Sequence, residues 1–254
     1  PGAGSDAGGT KTTAKLDGDQ WVINGNKQFI TNSGTDITEI VTVTAVTGER
    51  DGKKEISTIV VPTDTPRLHR RARLQQGRVE CLGHAPADVQ RCAGAGREPA
   101  RRARPRLREF PAHPRRGAYR DRGPVHRRST GCVDESVKYA KEREAFGRPI
   151  GRNQAIAFKI ARMEARAHTA RTAYYDAAAL MLSGKPFKKQ AAIAKLIASE
   201  AAMDNARDAT QIHGGYGFMN EYAVARHYRD SKILEIGEGT TEVQLMLVAR
   251  ELGL

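Results

Sequence analysis

The stretch RNQAIAFKIARMEARAHTARTAYYDAAALML, residues 152–182, decides the fold of the second half of the chain. Its apolar side chains recur at spacings of three and four residues, at Ile156, Ile160, Met163, Ala167, Ala170, Tyr174 and Ala177. Such spacing puts them on one face of an α-helix, and Gly184 and Pro186 mark where that helix ends. The stretch therefore predicts a long amphipathic helix that buries one face.

Helical patterns also flank this stretch on both sides. They begin at Gly131 and continue through further segments at about 187–211, 221–234 and 240–252. Thr240 and Thr241 are suitable N-caps for the last segment, because a threonine hydroxyl can accept a hydrogen bond from a free backbone N–H group. Antiparallel helices of these lengths predict a C-terminal four-helix bundle, which we place at residues 129–254.

The first part of the chain carries β patterns instead. Strand-forming side chains at 21–23 and 29–31 flank Asn24-Gly25, a pair typical of tight turns, which predicts a hairpin there. Two more apolar runs surround the polar stretch 47–54 and predict a second hairpin within 38–62. Residues 1–66 are therefore predicted to form part of an antiparallel β-domain, as in half of a barrel or sandwich.

The 254 residues carry a net charge of +13, and all of this excess lies in residues 67–128. That segment contains 18 arginines, no lysine and five acidic residues, and it lacks Ile, Asn, Thr, Ser, Met and Trp. Three interpretations are open: a basic arm that binds nucleic acid, a long solvated loop, or a segment translated in the wrong reading frame. Nucleic-acid arms usually mix Lys with Arg and lie at a terminus, so nucleic acid is not the expected partner.

Composition also restricts the setting of the protein. The sequence has no run of about 18 apolar residues, so it predicts no membrane span. The three cysteines have no spacing typical of a metal site, so we predict no metal. Their odd number argues against a disulfide framework, so we predict a reducing compartment. That compartment is the cytoplasm, or the mitochondrial matrix in a eukaryote.

Three loop motifs interrupt the helical patterns: REAFGRP at 143–149, QIHGGYG at 211–217 and LEIGEGTT at 234–241. Each by itself is compatible with an ordinary loop between helices, and His213 with a capping or solvated histidine. The third motif differs because Glu238 lies between two glycines. Their backbone allows a ligand to approach closely a carboxylate that can act as a base.

Taken in this order, the motifs resemble the acyl-CoA dehydrogenase family, flavoenzymes that oxidise the α,β bond of acyl-CoA thioesters. Five segments carry the resemblance: PGAGSD at 1–6, KQFITN at 27–32, REAFGRPI with NQAI at 143–156, QIHGGYGF at 211–218 and YRDSKILEIGEGTTEVQ at 228–244. It covers residues 1–66 and about 129–254. It implies an α+β fold in which an antiparallel β-barrel-like domain precedes the C-terminal four-helix bundle, with the family's N-terminal helical domain missing.

The resemblance further implies FAD as the cofactor. Arg143 would pair with the diphosphate of the FAD held by a neighbouring subunit, a bidentate role suited to a guanidinium group. The other residues that the resemblance places around FAD are Gly2, Gly4, Ser5, Phe29, Ile30, Thr31, Phe146, Gln154, Gln211, Gly214, Gly215, Thr240 and Glu242.

By the same resemblance Glu238 is the catalytic base. It would remove the α proton of an acyl-CoA while hydride leaves the β carbon for the flavin N5, which yields the trans-2-enoyl-CoA. Ser5 and Gly239 would lie against the thioester end of the substrate. The family also implies an electron-transfer flavoprotein as the acceptor and a homo-oligomer, commonly a tetramer.

Residues 67–128 match nothing in the family, although the end of the β-domain and the start of the first long helix are expected there. Read in a shifted frame, the segments 67–74, 91–101 and 114–121 are each compatible with family-like strings. We therefore predict that compensating one-base shifts near codons 66 and 128 placed this segment in the wrong reading frame.

If the polypeptide has the printed sequence, we expect disorder or poor packing at 67–128, partial folding of the bundle, and weak or no FAD binding. The alternatives are then an Arg-rich nucleic-acid-binding protein or an inactive remnant of the dehydrogenase.

Overall fold

A computed structural model of the chain describes residues 2–33, 35–66, 68–70, 84–95 and 122–254. The chain divides into two compact units, Pro1–Pro111 and Ala112–Leu254. The first is built on a β-sheet and the second on α-helices. This architecture confirms the predicted α+β fold, in which a largely antiparallel β-domain precedes a helical bundle.

The described residues of the first unit form a six-stranded sheet. Its strands are β1 (Thr13–Asp17), β2 (Gln20–Thr31), β3 (Ile40–Arg50), β4 (Lys53–Pro62), β5 (Leu68–Arg70) and β6 (His84–Ala95). They lie in the order β4-β3-β1-β2-β6-β5, and neighbours are antiparallel except β1 and β3, which pair in parallel. Among the described strands the sheet is open, so it does not close into the barrel that the prediction likened it to.

One face of this sheet carries the core of the unit. On β3 the side chains of Val41, Val43 and Ala45 are buried in alternation with more exposed neighbours, as a half-buried strand requires. They pack with Ile23 and Val61, which are also buried. Burying each such Val or Ile side chain contributes about 1.5–3 kcal/mol, so this apolar face holds the sheet together.

The predicted hairpin turn at Asn24-Gly25 is wrong. Strand β2 runs straight through these residues, and the turn lies at Gly18 and Asp19 instead. Gly25 is required for close packing, because a Cβ atom there would lie 2.5–2.8 Å from atoms of Thr12. A local turn signal was therefore overridden by the pairing of β2 along its whole length with its neighbours.

The second predicted hairpin is confirmed. Strands β3 and β4 are joined at Asp51 and Gly52, inside the predicted polar stretch. Both residues have positive φ, 51° and 70°, which is the backbone conformation of the two-residue turns that suit the twist of antiparallel strands.

Residues 122–254, the part of the second unit that the structure describes, form five α-helices. They are α1 (Arg122–Glu142), α2 (Gln154–Leu182), α3 (Lys188–His213), α4 (Ala223–Ile236) and α5 (Thr241–Glu251), with a short hairpin of β7 (Glu144–Ala145) and β8 (Arg148–Pro149) after α1. The bounds of α2 to α5 agree with the sequence prediction to within two residues. Helix α1 begins at Arg122, earlier than the predicted start at Gly131.

Parts of the Arg-rich segment 67–128 belong to these elements, since β5, β6 and the beginning of α1 lie within it. Residues 71–83 and 96–121 lie outside the described residues. The predictions of poor packing or of a wrong reading frame in this segment therefore remain predictions.

Helix α3 contacts each of the other four helices. Its buried side chains are mostly small, at Ala191, Ala192, Ala194, Ala198, Ala201, Ala202, Ala206 and Ala209. Small side chains allow helix backbones to approach closely, because the distance between packed helices depends on the side chains at the contact. Helix α3 is therefore the centre of the bundle.

One buried amide ties three helices together. Asn205 on α3 is fully buried, and its Nδ2 donates to the Ser129 hydroxyl of α1 (2.7 Å) and to the Met163 carbonyl of α2 (2.8 Å). Its Oδ1 accepts a hydrogen bond from the Arg166 guanidinium of α2 (3.3 Å). A buried amide is tolerated only when it is hydrogen-bonded, so these bonds fix the register of α1, α2 and α3.

A charged contact lies beside this amide. Asp208 on α3 accepts hydrogen bonds from Arg166 (2.7 Å) and Lys159 (3.2 Å) on α2. Burial alone would raise the pKa of Asp208, but the hydrogen bonds from Arg166 and Lys159, together with the positive charges of these two side chains, hold that pKa below its ordinary value. At pH values above the pKa that Asp208 has in the unfolded chain, these contacts therefore stabilise the folded state. The stabilisation is lost as the pH falls through the lower pKa that Asp208 has in the folded state.

Cys132 lies within the core shared by α1, α2, α3 and α4. Its side chain is fully buried, and burial raises the pKa of its thiol to about 12, although the positive charge of Arg128 opposes the shift.

Among the described residues, no helix is both long enough and apolar enough to cross a lipid bilayer.

We expect Asn205→Leu to lower the free energy of unfolding by about 2–4 kcal/mol, because it removes the bonds of this amide to the buried Ser129 hydroxyl, the Met163 carbonyl and Arg166. Urea denaturation followed by circular dichroism measures this loss. The control is Asn220→Leu at an exposed turn position, where we expect a change within about 0.5 kcal/mol. Equal effects of the two substitutions would contradict the structural role of Asn205.

Candidate active site

The turn between α4 and α5 presents a single carboxylate. Helix α4 is closed by the Gly237 N–H, which donates to the Ile233 carbonyl (2.7 Å). Glu238 and Gly239 follow with φ of 55° and 95°, both in the left-handed region. This backbone is unusual for a glutamate and costs about 1–2 kcal/mol, so the surrounding structure must hold it. The Glu238 side chain is exposed.

The first turn of α5 continues directly from this carboxylate. Thr240 caps the helix, since its Oγ1 accepts a hydrogen bond from the Val243 N–H (3.3 Å), as the sequence predicted. Glu242 follows in the first helical turn. Hydrogen bonds from its own backbone N–H and from the Thr240 side chain lower the pKa of Glu242, so it is ionised at neutral pH.

Gln244, a residue that no sequence motif singled out, lies behind this turn. Gln244 is 3% exposed, and its Nε2 donates a hydrogen bond to the Gly239 carbonyl (3.2 Å). Gly239 suits its positive φ, and a Cβ atom at position 239 would lie only 2.6 Å from that nitrogen, so a side chain there would displace the buried Gln244 amide. The one available signal was the presence of a polar residue among the apolar positions of α5.

A second group of predicted residues lies around the β7–β8 hairpin. Phe146 and Gly147 form its tip with positive φ, and the Phe146 ring is 97% exposed. Arg143 lies at the base, where its N–H donates to the Tyr139 carbonyl (2.8 Å) and its carbonyl accepts from the Ile150 N–H (2.8 Å). The backbone of Arg143 is therefore fixed while its side chain is exposed.

An open groove of about 670 Å³ joins this hairpin to the loop after α3. Three predicted residues, Arg143, Gly214 and Gly215, line it together with Tyr139, Ile150, Ile212, His213, Tyr216 and Met219. The Arg143 Cζ lies 5.9 Å from the centroid of the Tyr216 ring, within cation–π distance. Nothing would meet a Cβ atom at Gly214 or Gly215 within 4 Å, so a ligand can approach the backbone there.

His213 in this groove is buried rather than solvated. Its ring stacks on Tyr139 with centroids 4.2 Å apart, and its Nδ1 donates to the Ala209 carbonyl (2.8 Å). Burial lowers the pKa of His213, although that hydrogen bond opposes the shift, so the ring is neutral at pH 7. His213 therefore shapes the wall of the groove rather than supplying charge to it.

The remaining predicted residues of the helical unit do not belong to the described lining of this groove. Gln154 is the first residue of α2 and is exposed. Gln211 is exposed in the last turn of α3, where its carbonyl accepts a hydrogen bond from the Gly214 N–H. The structure therefore gathers Glu238, Gly239, Thr240 and Glu242 in one turn, and Arg143, Gly214 and Gly215 along one groove.

The predicted residues of the β unit form two exposed sites. Gly2, Gly4 and Ser5 precede a short 3₁₀ helix, Ala7–Gly9, which is capped by Asp6. At the end of β2, Phe29 has φ of 59° and is 65% exposed, next to a register shift between β2 and β6.

The two neighbours of Phe29 along β2 differ in their surroundings. Ile30 packs on the core of the sheet, whereas the Thr31 side chain is exposed. The strand end is held by Ser33, whose hydroxyl and N–H both donate to the Ile30 carbonyl. No sequence pattern pointed to this buried serine.

The donor set of the helical unit suits an anionic ligand. An arginine side chain and glycine backbone line the groove, and both are typical of sites that bind phosphate groups. Among the described residues no group of three or more His, Cys, Asp and Glu is arranged to hold a metal ion.

Comparison with known proteins gives two matching family models. The model described as acyl-CoA dehydrogenase, middle domain, matches residues 1–81, and that described as acyl-CoA dehydrogenase, C-terminal domain, matches residues 125–253.

Curated relatives and solved structures agree with these models. A probable acyl-CoA dehydrogenase of Bacillus subtilis, YngJ, is 42% identical over 257 residues, covering 99% of this chain and 66% of the relative. The mitochondrial short-chain specific acyl-CoA dehydrogenase of Bos taurus is 40% identical over 261 residues, covering 99% of this chain and 61% of the relative.

The structure of butyryl-CoA dehydrogenase from Megasphaera elsdenii has a TM-score of 0.87 and 33% identity, and covers 100% of this chain and 66% of that one. The chain thus spans just under two thirds of the length of the proteins it matches.

We expect Gly239→Ala to lower the free energy of unfolding by at least about 2 kcal/mol, because the new methyl group meets both an unfavourable φ and the Gln244 amide. The matched control is Gly184→Ala, which also has positive φ but has open space around it. We expect about 1 kcal/mol from that control. Equal losses in urea denaturation would show that Gln244 yields to the methyl group at no cost.

Proposed function

Because the chain belongs to the acyl-CoA dehydrogenase family, we propose that it carries the β and helical parts of a flavoenzyme that oxidises the α,β bond of an acyl-CoA thioester. The observation that carries this proposal is the turn at 237–239, which presents an exposed glutamate in a left-handed backbone at the junction of two packed helices. A carboxylate held in this way is suited to accept a proton from a bound substrate.

In the proposed reaction Glu238 removes the α proton of the thioester and becomes a neutral carboxyl group. When bound, FAD supplies the acceptor for the hydride that leaves the β carbon, so the products are the trans-2-enoyl-CoA and reduced flavin. The α proton is weakly acidic, so its removal needs a hydrogen bond to the thioester carbonyl as negative charge develops on it. We assign that bond in part to the Glu238 backbone N–H.

We assign the FAD diphosphate to the groove lined by Arg143, Gly214 and Gly215. The guanidinium supplies paired donors of fixed geometry, and the two glycines leave the backbone open to a phosphate. The remaining cofactor contacts are proposed for the residues that the family resemblance indicates. These are Gly2, Gly4, Ser5, Phe29, Ile30, Thr31, Phe146, Gln154, Gln211, Thr240 and Glu242.

Three further proposals follow from the family resemblance. The substrate is an acyl-CoA whose thioester lies against Ser5 and Gly239, and the butyryl-CoA and short-chain relatives make butyryl-CoA the first substrate to test. An electron-transfer flavoprotein takes the electrons. The chain assembles into a homo-oligomer, in which Arg143 serves the FAD of a neighbouring subunit. Separately from the resemblance, the cysteine count supports a reducing compartment, the cytoplasm or the mitochondrial matrix.

We also propose that compensating frameshifts explain residues 67–128. The charge excess and the loss of Ile, Asn, Ser and Thr are confined to this segment. The two family models match residues 1–81 and 125–253, and so leave residues 82–124 outside both. On this proposal the domains of the chain are 1–66, the anomalous segment 67–128, and 129–254.

Glu238→Gln tests the assignment of the base. The variant should bind FAD as the parent chain does, but butyryl-CoA should bleach its flavin absorbance about 10²–10⁴-fold more slowly, because an amide cannot accept the proton. The control is Glu221→Gln, an exposed glutamate outside the site, which should bleach at the parental rate. Full bleaching in Glu238→Gln would reject Glu238 as the base.

The frameshift proposal predicts one-base shifts near codons 66 and 128 when the coding DNA is sequenced across codons 60–135. The restored reading would remove the excess of positive charge from the segment. The mass of the intact protein gives an independent check, since the two readings differ in composition. A confirmed printed frame together with a matching mass would reject the proposal.

A further inference from the structure

The polar side chain of Gln244 is buried, although α5 also offers exposed positions. The helix is amphipathic, and its exposed positions include Leu245 and Met246, whereas this amide is 3% exposed. Burying an amide away from water is unfavourable unless it is hydrogen-bonded. The Nε2 atom satisfies this requirement by donating to the Gly239 carbonyl, five residues earlier in the chain.

This hydrogen bond acts on the turn that carries Glu238. The backbone at 238 and 239 is left-handed, and at 238 this conformation is unfavourable by itself for a residue other than glycine. The exposed carboxylate contributes little packing that would hold the turn. The Gly239 carbonyl lies in the peptide unit between Gly239 and Thr240, one residue after Glu238, so a bond to it restrains the backbone that leads from the turn into α5.

Three contacts together fix both ends of the turn. The Gly237 N–H is bound to Ile233 on α4, and Thr240 caps α5. Gln244 adds the contact between these ends, and it occupies the space that a side chain at 239 would need. Its amide therefore holds the turn by a hydrogen bond and also fills the space next to position 239.

We propose that Gln244 is a positioning residue for Glu238, which sets the direction of the carboxylate without touching the substrate. The inference rests on the proposed function, since it gives Gln244 a role only if Glu238 removes a proton. Proton transfer requires the base to lie within hydrogen-bond reach of the α carbon, and an error of about 1 Å costs on the order of 10²-fold in rate.

The test uses Gln244→Met, which keeps the length of the side chain and removes the donor. The matched control is Gln190→Met, the same substitution at a half-buried position in the first turn of α3. In Gln244→Met, butyryl-CoA should bleach the flavin about 10–10²-fold more slowly, with the FAD dissociation constant within twofold of the parent. The control should change neither quantity.

Amide hydrogen exchange in the flavin-free chain provides a second readout. The N–H groups of Gly237, Val243 and Gln244 are hydrogen-bonded at the two ends of the turn. In Gln244→Met they should exchange at least about tenfold faster, while those of α3 keep their rates. Faster exchange throughout the helical unit would indicate a general loss of stability and would overturn the positioning role.

The outcomes separate the two proposals. If the parent chain bleaches and Gln244→Met bleaches at the same rate, the positioning role is wrong and the proposed function stands. If the parent chain is not bleached by butyryl-CoA, the proposed function fails for this substrate, and hydrogen exchange alone decides whether Gln244 holds the turn. Unchanged exchange at Gly237 and Val243 would then reject the inference.

Discussion

The close packing of α3 against the other four helices is the constraint on which the helical unit depends. Close contact with several helices at once favours small side chains, and most of the buried side chains of α3 are alanines. The buried Asn205 adds a directional bond to a surface that alanines alone would leave free to slide. Packing gives this unit its compactness, and the amide gives it a single register.

The positions of the two loops that hold candidate site residues follow from this arrangement. The C-terminus of α3 leads directly into Gly214 and Gly215, and α5, which also packs on α3, begins at the turn that bears Glu238. Functional groups at the ends of tightly packed helices inherit the rigidity of the scaffold. Neither loop needs a core of its own, so both can have the exposed glycines and positive φ angles that a bound ligand requires.

Sequence patterns predicted the helices well because the spacing of apolar residues reflects burial on one face, and burial decides where helices form. They failed at Asn24-Gly25, where the residue types are those of a turn but Thr12 packs against the glycine in a continuous strand. The motifs directed attention to Glu238 and its glycines as candidates, but nothing in the sequence indicated the left-handed φ of the glutamate itself. Gln244 was missed because a polar residue in an amphipathic helix gives no indication of which way its amide points.

The buried thiol of Cys132 can react only when the helical core opens. With a pKa of about 12 and no exposed surface, it forms almost no thiolate and offers no access to a reagent at neutral pH. Alkylation at this position therefore requires the helical core to open. Mass spectrometry can distinguish alkylation of Cys132 from that of the other cysteines. The rate of alkylation at Cys132 therefore measures how often the bundle opens, without an introduced label.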